Sequence, residues 1–347
     1  MKKLAIIGCG GIGTYHLEHF IEYTDIELAG FCDLIPERAQ SFVEKAGCGQ
    51  AFTDFRVMYD TVKPDMVFIC VPPYCHGDIE FETIRRGIPM FVEKPVALDL
   101  ELAYQIRNEI QKKRLITAVG LQCRYASIVD DTRDFVNKHR VTFVDMVRMG
   151  GVPGVEWWRD KKRSGGQIVE QTIHNIDMVR YMIGEPVEVY TMAARGFVTD
   201  VVNYDTDDVS TTTVRFECGA LGSLSTGCYA TTGEAFDSRI TFSARDCRLD
   251  HYILDKVNIY GLADEQAGEN GLVFKGDGTM QAGGSAVTIK DKVDAGRICD
   301  RTFVDAVLTG DPSAIRSPYA DAVRTMEFVM AMNKSIETGM PVKVIHN

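Results

Sequence analysis

The chain has 347 residues, 45% of them hydrophobic, and a formal net charge of −11. That acidic balance argues against nucleic acid as a partner, because holding a polyanion rests on Lys and Arg, and it favours a small or neutral substrate. The length exceeds what one hydrophobic core usually serves, so two domains are expected.

The opening MKKLAII breaks at Gly8, too early for a secretory leader. No apolar run approaches the roughly 18 residues of a membrane span, so no membrane partner is expected. Ten cysteines lie between Cys9 and Cys299 without a CxxC pair, which predicts a cytoplasmic protein with reduced thiols and no zinc site built on them.

From the N-terminus the apolar runs LAII, IELAGFC, MVFICV, PMFVE and LITAVG alternate with helical patterns. Strands alternating with helices predict parallel βαβ units, and near-continuous apolar strands predict a sheet covered on both faces. Pro36 suits the first turn of one intervening helix, and Gly87 closes another. After Gly120 the pattern changes. Residues 126–139 read as a helix and VTFVDMVRM as a strand. Residues 165–186, GGQIVEQTIHNIDMVRYMIGEP, then read as one helix ended by Gly184 and Pro186. Its Ile168, Val169, Ile173, Ile176, Val179 and Ile183 recur at helical spacing and face a core. Glu170, His174 and Asp177, three and four apart, form one polar stripe. The runs VEVYTMAARGFV, STTTVRFE, ALGSLSTGCYA, SRITFSA and CRLDHYIL predict a largely antiparallel sheet. The Gly-rich residues 268–284 read as a surface loop, residues 294–338 as helical, and VKV as a short tail.

GCGGIG follows the first strand and opens a helix. Gly8 permits the tight turn, Gly10 lets backbone approach a pyrophosphate, and Gly13 lets the helix pack on its strand, with Gly11 and Ile12 in the same turn. The phosphates then sit on a helix N-terminus. Asp33 ends the second strand, where a carboxylate holds ribose hydroxyls and repels a 2′-phosphate. NAD is therefore expected over NADP, with Arg38 as the one complication. CVPPYCH, with Pro72, Pro73 and His76, and EKP, with Glu93 and Lys94, fall at C-terminal strand ends, the ligand edge of such sheets. His76 serves equally well as a helix cap.

Together GCGGIG, Asp33, VPPYCH, EKP and EQTIHNID resemble the Gfo/Idh/MocA family of oxidoreductases, and the resemblance covers nearly the whole chain. It implies an α/β protein: a Rossmann dinucleotide-binding domain, placed at residues 1–121, then an α/β domain with an open, mainly antiparallel sheet at residues 122–347. The second domain would serve substrate binding and homodimer or homotetramer formation, with its C-terminal helices able to pack back on the first. The implied activity is hydride transfer between a nicotinamide and a carbinol of a sugar, cyclitol or related polyol. The family lysine matches Lys94 and the helical histidine matches His174. The acid one turn earlier, commonly Asp, is Glu170 here.

Hydride transfer from an alcohol needs a group to take the hydroxyl proton and donors to fix the carbinol. Lys94 can stabilise charge on the reacting oxygen. His174 can accept the proton, which predicts activity rising through an ionisation near neutrality, and Glu170 can orient it or bind a neighbouring hydroxyl. Arg124, Tyr125, Trp158 and Arg159 are further candidates for a sugar pocket, beside packing roles. A metal site on Glu170, His174 and Asp177 would want another ligand that the seven scattered histidines do not advertise, so no metal is expected. Two other functions fit the same residues: an NAD-dependent glycoside hydrolase that oxidises its sugar transiently, and a non-catalytic dinucleotide sensor.

Overall fold

The computed structural model describes residues 1–261, 272–274, 280–282 and 286–347. The apolar N-terminal runs form six parallel strands: β1 (Lys2–Ile7), β2 (Ile26–Cys32), β3 (Gln50–Phe52), β4 (Met66–Ile69), β5 (Met90–Val92) and β6 (Thr117–Val119). Helices α1 (Gly11–Phe20), α2 (Pro36–Ala46), α3 (Phe55–Val62), α4 (Asp78–Arg86) and α5 (Leu100–Lys113) connect them. Every residue of β4 and β5 is buried, as strands covered on both faces require. Pro36 opens α2 and Gly87, with φ +71, closes α4, while the Asp54 and Asp99 carboxylates cap α3 and α5. The strand order β3-β2-β1-β4-β5-β6 reverses between β1 and β4. Such a reversal opens a ligand crevice beyond the C-terminal strand ends.

The chain then runs through α6 (Ile128–Lys138), β7 (Phe143–Met149), α7 (Lys161–Ser164), α8 (Gln167–Glu170) and α9 (Ile173–Ile183). Strands follow: β8 (Pro186–Ala194), β9 (Val209–Phe216), β10 (Leu221–Gly227), β11 (Asp237–Ser243), β12 (Arg248–Tyr252), β13 (Lys256–Tyr260), β14 (Leu272–Phe274), β15 (Met280–Ala282) and β16 (Val287–Lys290). Helices α10 (Ala295–Thr309) and α11 (Tyr319–Thr338) precede a short β17 (Val342–Lys343). Among the described residues the second sheet has the order β16-β13-β12-β11-β7-β10-β9-β8-β17. It is antiparallel except where β7, first of its strands in the chain, lies in the middle and pairs parallel with β10. The last helices return to the first sheet. The Val119 N–H donates to the Ser317 carbonyl at 2.8 Å, and Tyr104 of α5 donates to Glu327 of α11 at 3.0 Å.

The expected single helix over 165–186 is broken. Thr172 N–H reaches back five residues to the Gln167 carbonyl at 2.9 Å, so an extra residue enters the turn between α8 and α9. Gly184 follows α9 with φ 100 and ψ −168, outside the left-handed helical region, and Pro186 opens β8 instead of trailing the helix. Within residues 268–284, expected to be a loop, β14 and β15 pair as an antiparallel hairpin, and the rest lies outside the described residues. The outer face of the second sheet is mixed, with Tyr190, Met192 and Leu221 exposed beside Thr211, Thr213 and Arg215. Among the described residues no helix is long and apolar enough to cross a membrane.

Candidate active site

The turn after β1 is fixed by what cannot fit in it. A Cβ on Gly8, whose φ is +94, would lie 2.3 Å from the Cys70 carbonyl oxygen, and one on Gly13 would lie 2.1 Å from the Gly8 carbonyl oxygen. At Gly10 and Gly11 a Cβ would meet nothing within 4 Å, so open space borders the first turn of α1, which has no side-chain cap. Ile12 is exposed on that turn. Asp33 accepts hydrogen bonds from Cys9 N–H and Ile35 N–H, both at 2.9 Å. These fix a half-buried carboxylate at the rim with lone pairs left for ligand hydroxyls. An uncapped helix start, glycines that leave room and an anchored acid fit a dinucleotide.

Across the crevice Pro72 leads into a tight turn over Pro73–Cys75. His76 Nδ1 and Gly77 N–H both meet the buried Glu80 carboxylate at 2.6 Å, which makes His76 part of the α4 cap; its buried Nε2 has no partner among the described residues. Glu93, expected at the cofactor, turns inward. Its Oε1 lies 3.1 Å from His16 Nε2, while His16 Nδ1 and His19 Nδ1 meet Asp300 at 2.9 and 2.6 Å. Burial opposes charge on His16, but Asp300 and Glu93 outweigh it and hold its pKa up at about 10. Glu93 is therefore a tether beneath the crevice, joining the EKP turn to α1 and α10. His16, His19 and Asp300 also gather three ligand-type atoms within 4.8 Å, a cluster with no sequence signature.

Lys94 turns the other way. Its Nζ donates to Glu170 Oε1 at 2.7 Å and to the Glu170 carbonyl at 3.0 Å, at the end of α8 where the helix breaks. An ammonium has three donors, so one remains. His174 lies in the first turn of α9, its Nδ1 buried and without a partner among the described residues. Burial, then the charges of Lys94 and Arg148, push its pKa down to about 3 against an opposing pull from Asp177. The expected ionisation near neutrality is thus displaced far to the acid side, because a cation has no favourable surroundings there.

Asp177 leaves the expected stripe. Arg124 donates to it from Nε at 2.8 Å and from Nη2 at 2.5 Å, and Thr325 adds a bond at 2.6 Å. Glu170, His174 and Asp177 therefore do not converge as metal ligands. Arg124 itself is wholly buried and also pairs with Asp321, so it locks α9 to the C-terminal segment instead of lining a sugar pocket. Tyr125 is buried with its hydroxyl accepting from Arg316 N–H at 2.8 Å. Trp158 is fully buried, its ring stacked 6.4 Å from Tyr204. The neighbouring Trp157 is the half-buried one, its ring 6.4 Å from Tyr74, over which Arg163 stacks at 4.3 Å. Arg159 is half-buried with an unpartnered Nε. Arg148 and Gln171, hydrogen-bonded to each other beside Glu170, were not foreseen. The Gly-Gly after Arg148 at a strand end was the available signal.

Residues 2–121 match the model of an oxidoreductase family with an NAD-binding Rossmann fold, and residues 140–248 match the GFO/IDH/MocA C-terminal domain. The chain belongs to the Gfo/Idh/MocA oxidoreductase family. Its cofactor is NAD. Among Gfo/Idh/MocA relatives, myo-inositol 2-dehydrogenase of Thermotoga maritima is 26% identical over 243 residues, 69% of this chain and 71% of that one. D-glucoside 3-dehydrogenase of Escherichia coli is 29% identical over 191 residues, 53% of this chain and 54% of that one. A solved levoglucosan dehydrogenase in complex with NADH and L-sorbose shares the fold, with a TM-score of 0.85 at 17% identity over 100% of this chain and 99% of that one.

Proposed function

We propose that this protein transfers a hydride between NAD and a carbinol carbon of a sugar, cyclitol or related polyol, with Lys94, Glu170 and His174 as its catalytic residues. The observation that carries this reading is the Lys94 ammonium, just beyond the C-terminal end of β5, held by two Glu170 oxygens with one donor left over. The dehydrogenase names of the relatives support the same chemistry.

When bound, NAD supplies the hydride acceptor at its nicotinamide ring. Gly8, Gly10, Gly11, Ile12 and Gly13 would receive the diphosphate at the start of α1, and Asp33 would hold the ribose, with Pro72, Pro73 and His76 as the remaining cofactor-binding residues. The third donor of Lys94 points its hydrogen bond to the reacting oxygen and stabilises negative charge there, while Glu170 keeps the ammonium in place. His174 stays neutral above its pKa of about 3 and so offers a lone pair. As the hydride departs, the hydroxyl gains the acidity of a protonated carbonyl, and even a weakly basic imidazole can take its proton. The half-buried Trp157 would offer its ring to sugar C–H groups. The cysteines are free, which fits a cytoplasmic location. The exposed Tyr190, Met192 and Leu221 fit a homodimer or homotetramer through the second sheet.

The test is a panel of polyols, sugars and glycosides with NAD, followed by NADH absorbance. NADH should accumulate with at least one polyol or sugar. Glycoside cleavage without net NADH would instead indicate redox-assisted hydrolysis, and NAD binding with no turnover on any compound would indicate a sensor.

A further inference from the structure

Arg148 lies near the end of β7 with its guanidinium over Gly150, where a Cβ would come within 2.6 Å of Nη1. Nη2 donates to the Gln171 side chain, and Nη1 is buried with no partner among the described residues. The fully enclosed arginines are compensated: Arg124 by Asp177 and Asp321, Arg180 by Glu185 and Asp321. Arg148 pairs with no carboxylate among the described residues. Arg148 is half-buried, with Nη1 the part shielded from water; shielding a cation without a partner is costly, and the cost falls if an anion arrives. Beside it opens a cavity of about 470 Å³ bordered by Arg148, Gly151, Gln171, Phe236, Asp237 and Ser238. Asp237 stands on its wall without pairing with Arg148. Lys94, Glu170 and His174 do not line this cavity, but Gln171 on its wall directly follows Glu170, and the Arg148 charge reaches both Glu170 and His174.

We propose that this cavity receives an oxyanion carried by the substrate, a carboxylate or a phosphate ester on the polyol, and that Arg148 is the specificity-determining residue that reads it. This rests on the polyol-oxidoreductase reading above and narrows its substrate class. A guanidinium presents parallel N–H donors that match an oxyanion and gain strength from its charge. Gln171 holds Nη2, and Nη1, buried over Gly150, would turn out into the cavity to meet the ligand. The volume exceeds what an oxyanion alone needs and leaves room for part of a sugar ring.

The experiment uses matched ligands: a neutral hexose or hexitol, the corresponding sugar acid, and the corresponding sugar phosphate. Each is measured as kcat/KM with NAD and as affinity for the enzyme–NADH complex by calorimetry. At least one anionic ligand should exceed its neutral counterpart about ten-fold or more, and Arg148→Gln should lower that ratio about ten- to a hundred-fold with NADH affinity retained. Which anion wins distinguishes carboxylate from phosphate. Arg148→Lys keeps the buried charge but loses the fork, and should give an intermediate ratio. Neutral ligands favoured or equal, or a ratio that neither variant changes, would overturn the proposal. Arg148-dependent anion binding without oxidation of any polyol would uphold this site and defeat the polyol-oxidoreductase reading, so the two failures are distinguishable.

Discussion

At the end of β1 the crevice is shaped by backbone: Gly8 and Gly13 exclude any side chain, and Gly10 and Gly11 leave open space. At the α8–α9 break opposite, it is shaped by side chains, with Glu170 turned onto Lys94 and Asp177 drawn away to Arg124. Backbone sites depend on which residue fits a conformation, so changing one neighbour leaves the rest intact. Side-chain sites depend on how a helix is rotated, and here that rotation is set by a buried ion pair outside the reacting centre. The Arg124–Asp177 pair thus positions His174, which lies three residues before Asp177 on α9 and four after Glu170 across the helix break.

The largest effect that would sharpen this contrast is on stability. Asp177→Ala leaves Arg124 buried with only Asp321 opposite, and should cost about 3–5 kcal/mol in urea unfolding. Asp33→Ser, at the half-buried rim, should cost far less. Comparable losses would erase the distinction between the two sides.

Next comes pH. The folded pKa of His174 is depressed from 6.5 to about 3, so its stabilising contribution is full above 6.5 and is lost as pH falls towards 3. At pH 5 that loss is about 2 kcal/mol, and His174→Gln should flatten the acid limb of the stability profile. His16 has the opposite sign. Its pKa is raised by Asp300 and Glu93 against burial, so its contribution is full below 6.5 and fades as pH rises towards 10. His16→Gln should therefore flatten the alkaline limb. Denaturant midpoints measured across pH check both, and identical limbs in wild type and variants would contradict these environments.

A smaller change is expected at the cofactor. Asp33→Ser should narrow the preference for NAD over NADP by about ten-fold in kcat/KM, by removing the charge that repels a 2′-phosphate. A wild-type preference for NADP would place the ribose elsewhere.

The glycine turn, Asp33 and the parallel strands were legible because each rests on a local rule: no other residue fits at Gly8, and buried strands must read as apolar runs. The break in the middle helix was not legible, since Gln171 and Thr172 are no helix breakers and the extra turn residue appears only in the packed structure. The same limit explains the Trp pair. Two adjacent indoles look alike in sequence, and tertiary packing put Trp158 in the core and left Trp157 half-buried beside Tyr74. Arg124 stood beside the right segment, but nothing local marked Asp177 as its partner 53 positions away. Lys94 and Glu170 each stand out locally in the sequence, but their direct contact is a long-range fact of the fold.

The central claim is that Lys94 acts on the reacting oxygen and not on cofactor capture. Single-turnover hydride transfer, read by NADH fluorescence after mixing enzyme–NAD with an oxidisable polyol, separates the two. Lys94→Ala should slow the transfer by roughly two orders of magnitude or more while NADH affinity stays within a few-fold of wild type. Transfer at near wild-type rate, or a slowing explained wholly by lost NADH affinity, would contradict the account.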